Sequence, residues 1–286
     1  MCKYLISSFL LFFCSFAVAD ELNQTPDPFV LLTVPKSGSH LLIKTLHLLT
    51  DLSPKWHVKP LQLDEVFSSK QYPYTHICLR DKLSGVYFHP LEGGKIKKII
   101  GIRDFRDVCV SIVHQILKGA WPPFTGNETA IKKFKKMSFD DQLLFVINQE
   151  YEISPPKFNI HLEVTQTAAQ ALQLLLEPNV LMVRYEDLVG SNGGGSDEAQ
   201  LNSLIMISDF LNLNWTLQEM KAISEKLYGN SYNPFDKGDF KGYQSTFRKG
   251  TIGNWKKHFK EHRKIAFKER LGDALIDLGY ETNNDW

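Results

Sequence analysis

A lysine beside a glycine, where an apolar strand turns into a helix, can hold an anion. Residues 35–40, Pro35-Lys36-Ser37-Gly38-Ser39-His40, have this form. Upstream, Phe29 to Val34 is a continuous apolar run with β-branched members, which suits a buried parallel strand. Downstream, Leu41, Leu42, Thr45, Leu46, Leu48 and Leu49 recur at helical spacing up to Asp51. A loop so placed turns its N–H groups and the positive end of the helix dipole toward an anion. Lys36 adds a full charge, and Ser37, Ser39 and His40 add donors. The spacing is not that of a Walker loop, because one glycine is missing and the lysine precedes the glycine. Taken alone, the segment equally suits a capped helix start with a surface lysine.

Three more groups could join it. Arg103 ends the strand-like run 97–102, and Ser111 lies eight residues later, two turns into the helix that follows. Together they could grip a phosphate, although Arg103, Asp104, Arg106 and Asp107 also suit mutual pairing on the surface. Arg248-Lys249-Gly250 places two cations beside a glycine, either an anion clamp or a solvated basic turn. His76, at or within a strand, could serve as a base or be an ordinary packed histidine.

The elements that must position these residues alternate. Strands are expected at 29–34, 97–102 and 180–185. Helices follow Asp104 (a candidate cap, with Val108, Ile112, Val113, Ile116 and Leu117 inward) and cover 138–152, 165–177, 200–211, 216–228 and 260–279. This predicts an α/β fold: a P-loop-like parallel sheet with helices on both faces, in one domain spanning 29–282. Gly190 to Ser196 reads as an exposed loop within that domain, and 234–253 as a mobile loop over a site.

With 286 residues and 43% hydrophobic content, the chain can bury a large core. Its net charge of +1 calls for neither nucleic acid nor an anionic surface. Residues 1–19 have a lysine, an apolar run and Ala17-Val18-Ala19, the pattern of a secretory signal cleaved after Ala19. This implies export, with no stable membrane anchor after cleavage; a non-functional signal would leave the protein cytoplasmic. Asn23, Asn127 and Asn214 begin N-x-Thr triplets. Cys78 and Cys109 read as core thiols, not as a bridge.

The order of the groups carries a resemblance. TVPKSGSHLL resembles the cofactor loop of sulfotransferases that use 3′-phosphoadenosine-5′-phosphosulfate (PAPS). IIGIRDFRDVCVS is similar to that family's strand–loop–helix, YTHICL to its histidine segment, VRYEDL to a structural segment, and FRKGTIGNWKKHF to its C-terminal signature. The resemblance implies that Lys36 stabilises the leaving phosphate and that Lys36, Ser37, Gly38, Ser39 and His40 cradle the 5′-phosphate. It assigns Arg103, Ser111, Arg248, Lys249 and Gly250 to the 3′-phosphate and His76 to general-base catalysis, with no metal. Tyr232 is aligned as an adenine contact. Leu41 stands where the family commonly has Trp, and Tyr74 where animal cytosolic members have Lys. The family's dimer signature is half present, with Lys260 and Glu269 but Lys264-Ile265 at its centre, so a monomer or weak homodimer is expected.

The implied acceptor is a hydroxyl or amine of a small molecule or glycan. Segments 52–75, 80–95, 119–137 and 232–247 would line its pocket, and Trp56, Tyr87, Phe88, Trp121 and Phe124 suit an aromatic acceptor or plain packing. The alternative is an exported nucleotide-binding or host-interacting protein that keeps the fold without turnover. A P-loop kinase is set aside, because no Walker lysine precedes a Mg²⁺-binding hydroxyl.

Overall fold

The computed structural model describes residues 26–56, 74–79, 96–119, 127–148, 164–229 and 248–286. Five strands, β1 (Phe29–Thr33), β2 (Lys55–Trp56), β3 (Tyr74–Cys78), β4 (Lys97–Ile102) and β5 (Val180–Arg184), form one sheet in the order β2-β3-β1-β4-β5. Every pairing is parallel. Leu31 lies opposite His76 on one side and Ile99 on the other, while Thr33 faces Cys78 and Gly101. From β1 the chain goes out to the edge strand β2, steps back in to β3 beside β1, and then crosses to β4 on the other flank. The strand order therefore reverses at the C-terminal end of β1, where open α/β sheets bind ligands.

Parallel strands bonded on both sides must bury both faces, and the two-residue alternation sorts them. Val30, Leu32, Ile100 and Ile102 point into one core, shared with α2 (Phe105–Leu117), α4 (Phe139–Asn148), α5 (Val164–Leu175) and α9 (Glu261–Asp277). The short helix α3 (Glu128–Lys136) adds Ala130 and Phe134 to it. Phe29, Leu31, Tyr74 and Ile99 point into the other core, shared with α1 (Ser39–Thr50), α7 (Asp197–Phe210) and α8 (Leu217–Leu227). The one-turn helix α6 (Tyr185–Leu188) follows β5 directly. The expected doubly covered sheet is thus observed, and four of the expected helices lie at 139–148, 164–175, 197–210 and 217–227.

Local chemistry sets the element ends. Asp104 caps α2 by accepting the Arg106 N–H at 2.9 Å. Thr216 and Glu219 form a reciprocal capping box on α8. Tyr74 is fully buried, and its ring stacks on Phe29 at 4.6 Å. Tyr74 is therefore a core side chain.

Three sequence expectations are revised or fall elsewhere. Gly190 to Ser196 is exposed at Ser191, Asn192, Gly194 and Ser196, as expected, but two of its glycines are buried and it is tied to the chain after Gly250. Ser191–Gly193 forms a 3-10 turn, Gly193 is buried, and its carbonyl accepts the Ile252 N–H at 3.0 Å. Cys109 is a buried free thiol, whereas Cys78 is free but only half-buried. The signal segment 1–19 and most of 234–253 lie outside the described residues. Among the described residues, no helix is long and apolar enough to cross a membrane.

Candidate active site

The loop after β1 is shaped by two residues with left-handed backbone. Lys36 has φ 68° and Gly38 has φ 87°. Gly38 has a second reason to be glycine: a Cβ there would lie 2.3 Å from Tyr185 Cδ2 at the start of α6. The backbone can follow this path only without a side chain. Ser37 is buried, and its hydroxyl donates to the Gly101 carbonyl at 3.1 Å, tying the loop to the end of β4. Ser39 and His40 open α1, so their N–H groups lie in the first turn of a helix, the end whose dipole favours an anion.

Lys36 Nζ donates to Gln115 Oε1 on α2 at 3.1 Å. Its pKa is lowered from the ordinary lysine value to about 8. Burial is the largest cause. Lys118 and Arg103 push it further down, Cys78 opposes them, and Arg248 adds to the decrease. Cations from three separate segments therefore converge, and their mutual repulsion is a cost that a bound anion relieves.

Arg103, just past β4, is held from three directions. It pairs with Asp107 at 3.2 Å, donates to the Thr251 carbonyl at 2.9 Å, and lies over the Tyr185 ring at 4.4 Å. Asp107 also accepts the N–H groups of Gly253 at 2.9 Å and Trp255 at 2.8 Å. The segment after Arg248-Lys249-Gly250 is thereby fastened to the first turn of α2. The charged run 103–107 does pair internally, but in the interior rather than on the surface: Arg106 and Asp107 are each 2% exposed. Arg248 lies near Arg103, and burial followed by Arg103 lowers its pKa, with Asp107 opposing. Gly250 has φ 64°, and the Lys249 carbonyl accepts from Tyr228 at 3.2 Å.

Ser111 sits four residues after Asp107 and four before Gln115, so all three share one face of α2. His114 belongs to the same neighbourhood. Its pKa is pushed down to about 4, first by burial and then by Arg248, His258, Lys249 and Lys118. His258 is shifted down by burial, Arg248, Arg263 and Lys249, with Asp140 opposing.

His76 lies inside β3, 2% exposed. Its Nε2 is 2.8 Å from Thr33 Oγ1, and the same hydroxyl is 2.7 Å from Ser39 Oγ. Thr33 therefore links the histidine to the first residue of α1. The structure thus gathers Lys36, Arg103 and Arg248 in one cationic group, sets Ser111 on the adjoining helix face, and connects His76 to Ser39. Tyr232 lies outside the described residues. Sequence reasoning missed Thr33, Gln115 and His114. For the last two the α2 periodicity through Asp107 and Ser111 was an available signal. Among the described residues, no three or more His, Cys, Asp or Glu side chains gather as metal ligands would.

The fold agrees with comparisons to known proteins. The sulfotransferase domain profile matches residues 26–279, and the chain belongs to that family of sulfuryl-transferring enzymes. One similar protein is human sulfotransferase 6B1, 24% identical over 287 aligned residues that span 91% of this chain and 80% of the relative. The fold is similar to that in the crystal structure of mouse sulfotransferase SULT7A1 complexed with PAP. The TM-score is 0.61 at 16% identity, covering 89% of this chain and 87% of the other.

Proposed function

We propose that the protein transfers the sulfuryl group of PAPS to a hydroxyl or amine of a small molecule or glycan. The observation that carries this reading is the convergence of Lys36, Arg103 and Arg248 at the switch point of the sheet, from loops far apart in sequence. A nucleotide with phosphates at both ends needs such a divided set of cations.

In this reading the Lys36 loop and the first turn of α1 hold the 5′-phosphate through Ser37, Gly38, Ser39 and His40. Arg103, Ser111, Arg248, Lys249 and Gly250 hold the 3′-phosphate. The fit rests on the Gly38 turn, where a Cβ would strike Tyr185, and on the depressed pKa of Lys36. His76 exchanges its bond to Thr33 for the acceptor hydroxyl and takes that proton as the acceptor oxygen bonds to sulfur. As the sulfur–oxygen bond to phosphate breaks, Lys36 leaves Gln115 and donates to the oxygen that gains charge. PAPS supplies the activated sulfuryl group; the chain supplies charge, a base and alignment.

Calorimetric titration with 3′,5′-adenosine bisphosphate tests the donor site. Binding at micromolar concentration, lost in Arg103→Ala, is expected. Retention of wild-type affinity in that variant refutes the assignment of Arg103.

A further inference from the structure

The residues after α9 are tied back to the start of α2 at several points. Arg184 donates to the Leu278 carbonyl at 2.6 Å, and the Tyr280 hydroxyl donates to Glu186 at 3.0 Å. Glu186 in turn accepts the Asp104 N–H at 3.0 Å. Arg106 is the centre of the arrangement. Its guanidinium is bidentate to Asp104, through Nε at 2.9 Å and an Nη at 2.7 Å, and pairs through its other Nη with Glu281 at 2.5 Å. The same guanidinium lies 3.7 Å from the Trp255 ring and 4.4 Å from the Trp286 ring. The two indoles meet edge-on at 5.8 Å, and Trp286 also meets Phe267 edge-on at 5.9 Å.

Trp255 is the far anchor of the segment that begins at Arg248-Lys249-Gly250. Its N–H is held by Asp107, and its ring is held by Arg106. An arginine side chain has several rotamers, and Arg106 is confined to one by Asp104, Glu281 and the Trp286 ring. If Glu281 and Trp286 are removed, Arg106 loses two of its restraints and Trp255 loses its backing. The cations at 248 and 249 are then presented by a loop free to sample other positions, and affinity falls because ordering must occur on binding.

We propose that Glu281 and Trp286 are positioning residues for the 3′-phosphate end of the donor site, acting through Arg106 and Trp255. This rests on the donor reading above. It differs from a general packing role in one measurable respect. The Lys36 loop does not depend on Arg106, so a ligand lacking the 3′-phosphate has little to lose.

The test compares 3′,5′-adenosine bisphosphate with adenosine 5′-monophosphate on the full chain and on Trp286→Ala, Trp286→Phe and Glu281→Gln. Loss of one desolvated cation–aromatic contact predicts about tenfold weaker binding of the bisphosphate by Trp286→Ala. Monophosphate binding stays within about twofold, and Trp286→Phe recovers most of the bisphosphate affinity because a smaller ring still faces Arg106. Glu281→Gln shows the same selective loss in smaller degree and carries the test should Trp286→Ala not fold. Equal weakening of both ligands, or unchanged affinity for both, overturns the proposal. If wild-type protein binds neither nucleotide, the donor reading itself fails and the proposal fails with it.

Discussion

Lys36 offers a quantitative test of the donor site. Its pKa of about 8 in the free protein leaves it roughly nine-tenths charged at pH 7 and roughly one-tenth charged at pH 9. A bound phosphate favours the ammonium form, so above pH 8 the complex holds more protons than the free protein. Affinity must then fall as pH rises. The expected decrease for 3′,5′-adenosine bisphosphate is about tenfold between pH 7 and pH 9, or about 1.4 kcal/mol. Calorimetry in buffers of different ionisation enthalpy adds a second reading: about nine-tenths of a proton is taken up per nucleotide at pH 9. His114, pushed down to about 4, and His258, also shifted down, are neutral across this window and do not confound it. Cys78 acts on Lys36 and is controlled by Cys78→Ser. Lys36→Arg keeps its charge at both pH values and should give a flat profile. Equal affinity of the wild type at pH 7 and pH 9, or the same tenfold fall in Lys36→Arg, refutes the reasoning.

Three further outcomes follow from the same geometry. His76→Ala should abolish sulfuryl transfer while binding 3′,5′-adenosine bisphosphate as the wild type does; measurable turnover in that variant removes His76 from the chemistry. Gly38→Ala places a Cβ 2.3 Å from the Tyr185 ring at φ 87°, and a thermal melt should show about 1–3 kcal/mol of lost stability together with loss of nucleotide binding. Gly193→Ala places a Cβ 2.2 Å from Val189 Cγ2 and 2.6 Å from the Gly250 carbonyl. It should weaken bisphosphate binding several-fold, by about 1 kcal/mol, through displacement of the Gly250 backbone. Wild-type affinity there would show that the two turns move independently.

Much of this site could be read from the sequence, because its parts are local. The apolar run ending at Val34, the helical spacing after Ser39 and the Asp104 cap each declare themselves within a dozen residues. They place Lys36 and Arg103 at strand ends before any contact is known. What stayed hidden depends on contacts between distant residues. The bond from Lys36 to Gln115 spans 79 positions, and that from Thr33 to His76 spans 43. Nothing in the local pattern marks Thr33, one more β-branched residue in a buried strand, as the hydroxyl that links His76 to Ser39. The glycine-rich turn was legible as an exposed loop, but its tight packing was not. Composition associates GSNGGGS with flexibility, yet Gly193 and Gly195 are needed because Val189 Cγ2 and the Glu186 carbonyl leave no room for a Cβ. Likewise, Tyr74 fills the core against Phe29, a role that only the three-dimensional neighbours reveal.

The most direct test of the central claim is mass-spectrometric detection of products when the protein is incubated with PAPS and a mixture of phenols, aliphatic alcohols, amines and oligosaccharides. Transfer predicts one molecule of 3′,5′-adenosine bisphosphate released for each sulfated product, with both absent in Lys36→Ala. Tight nucleotide binding with no sulfated product from any acceptor would contradict it. The chain would then be a nucleotide-binding protein that keeps the fold without the reaction.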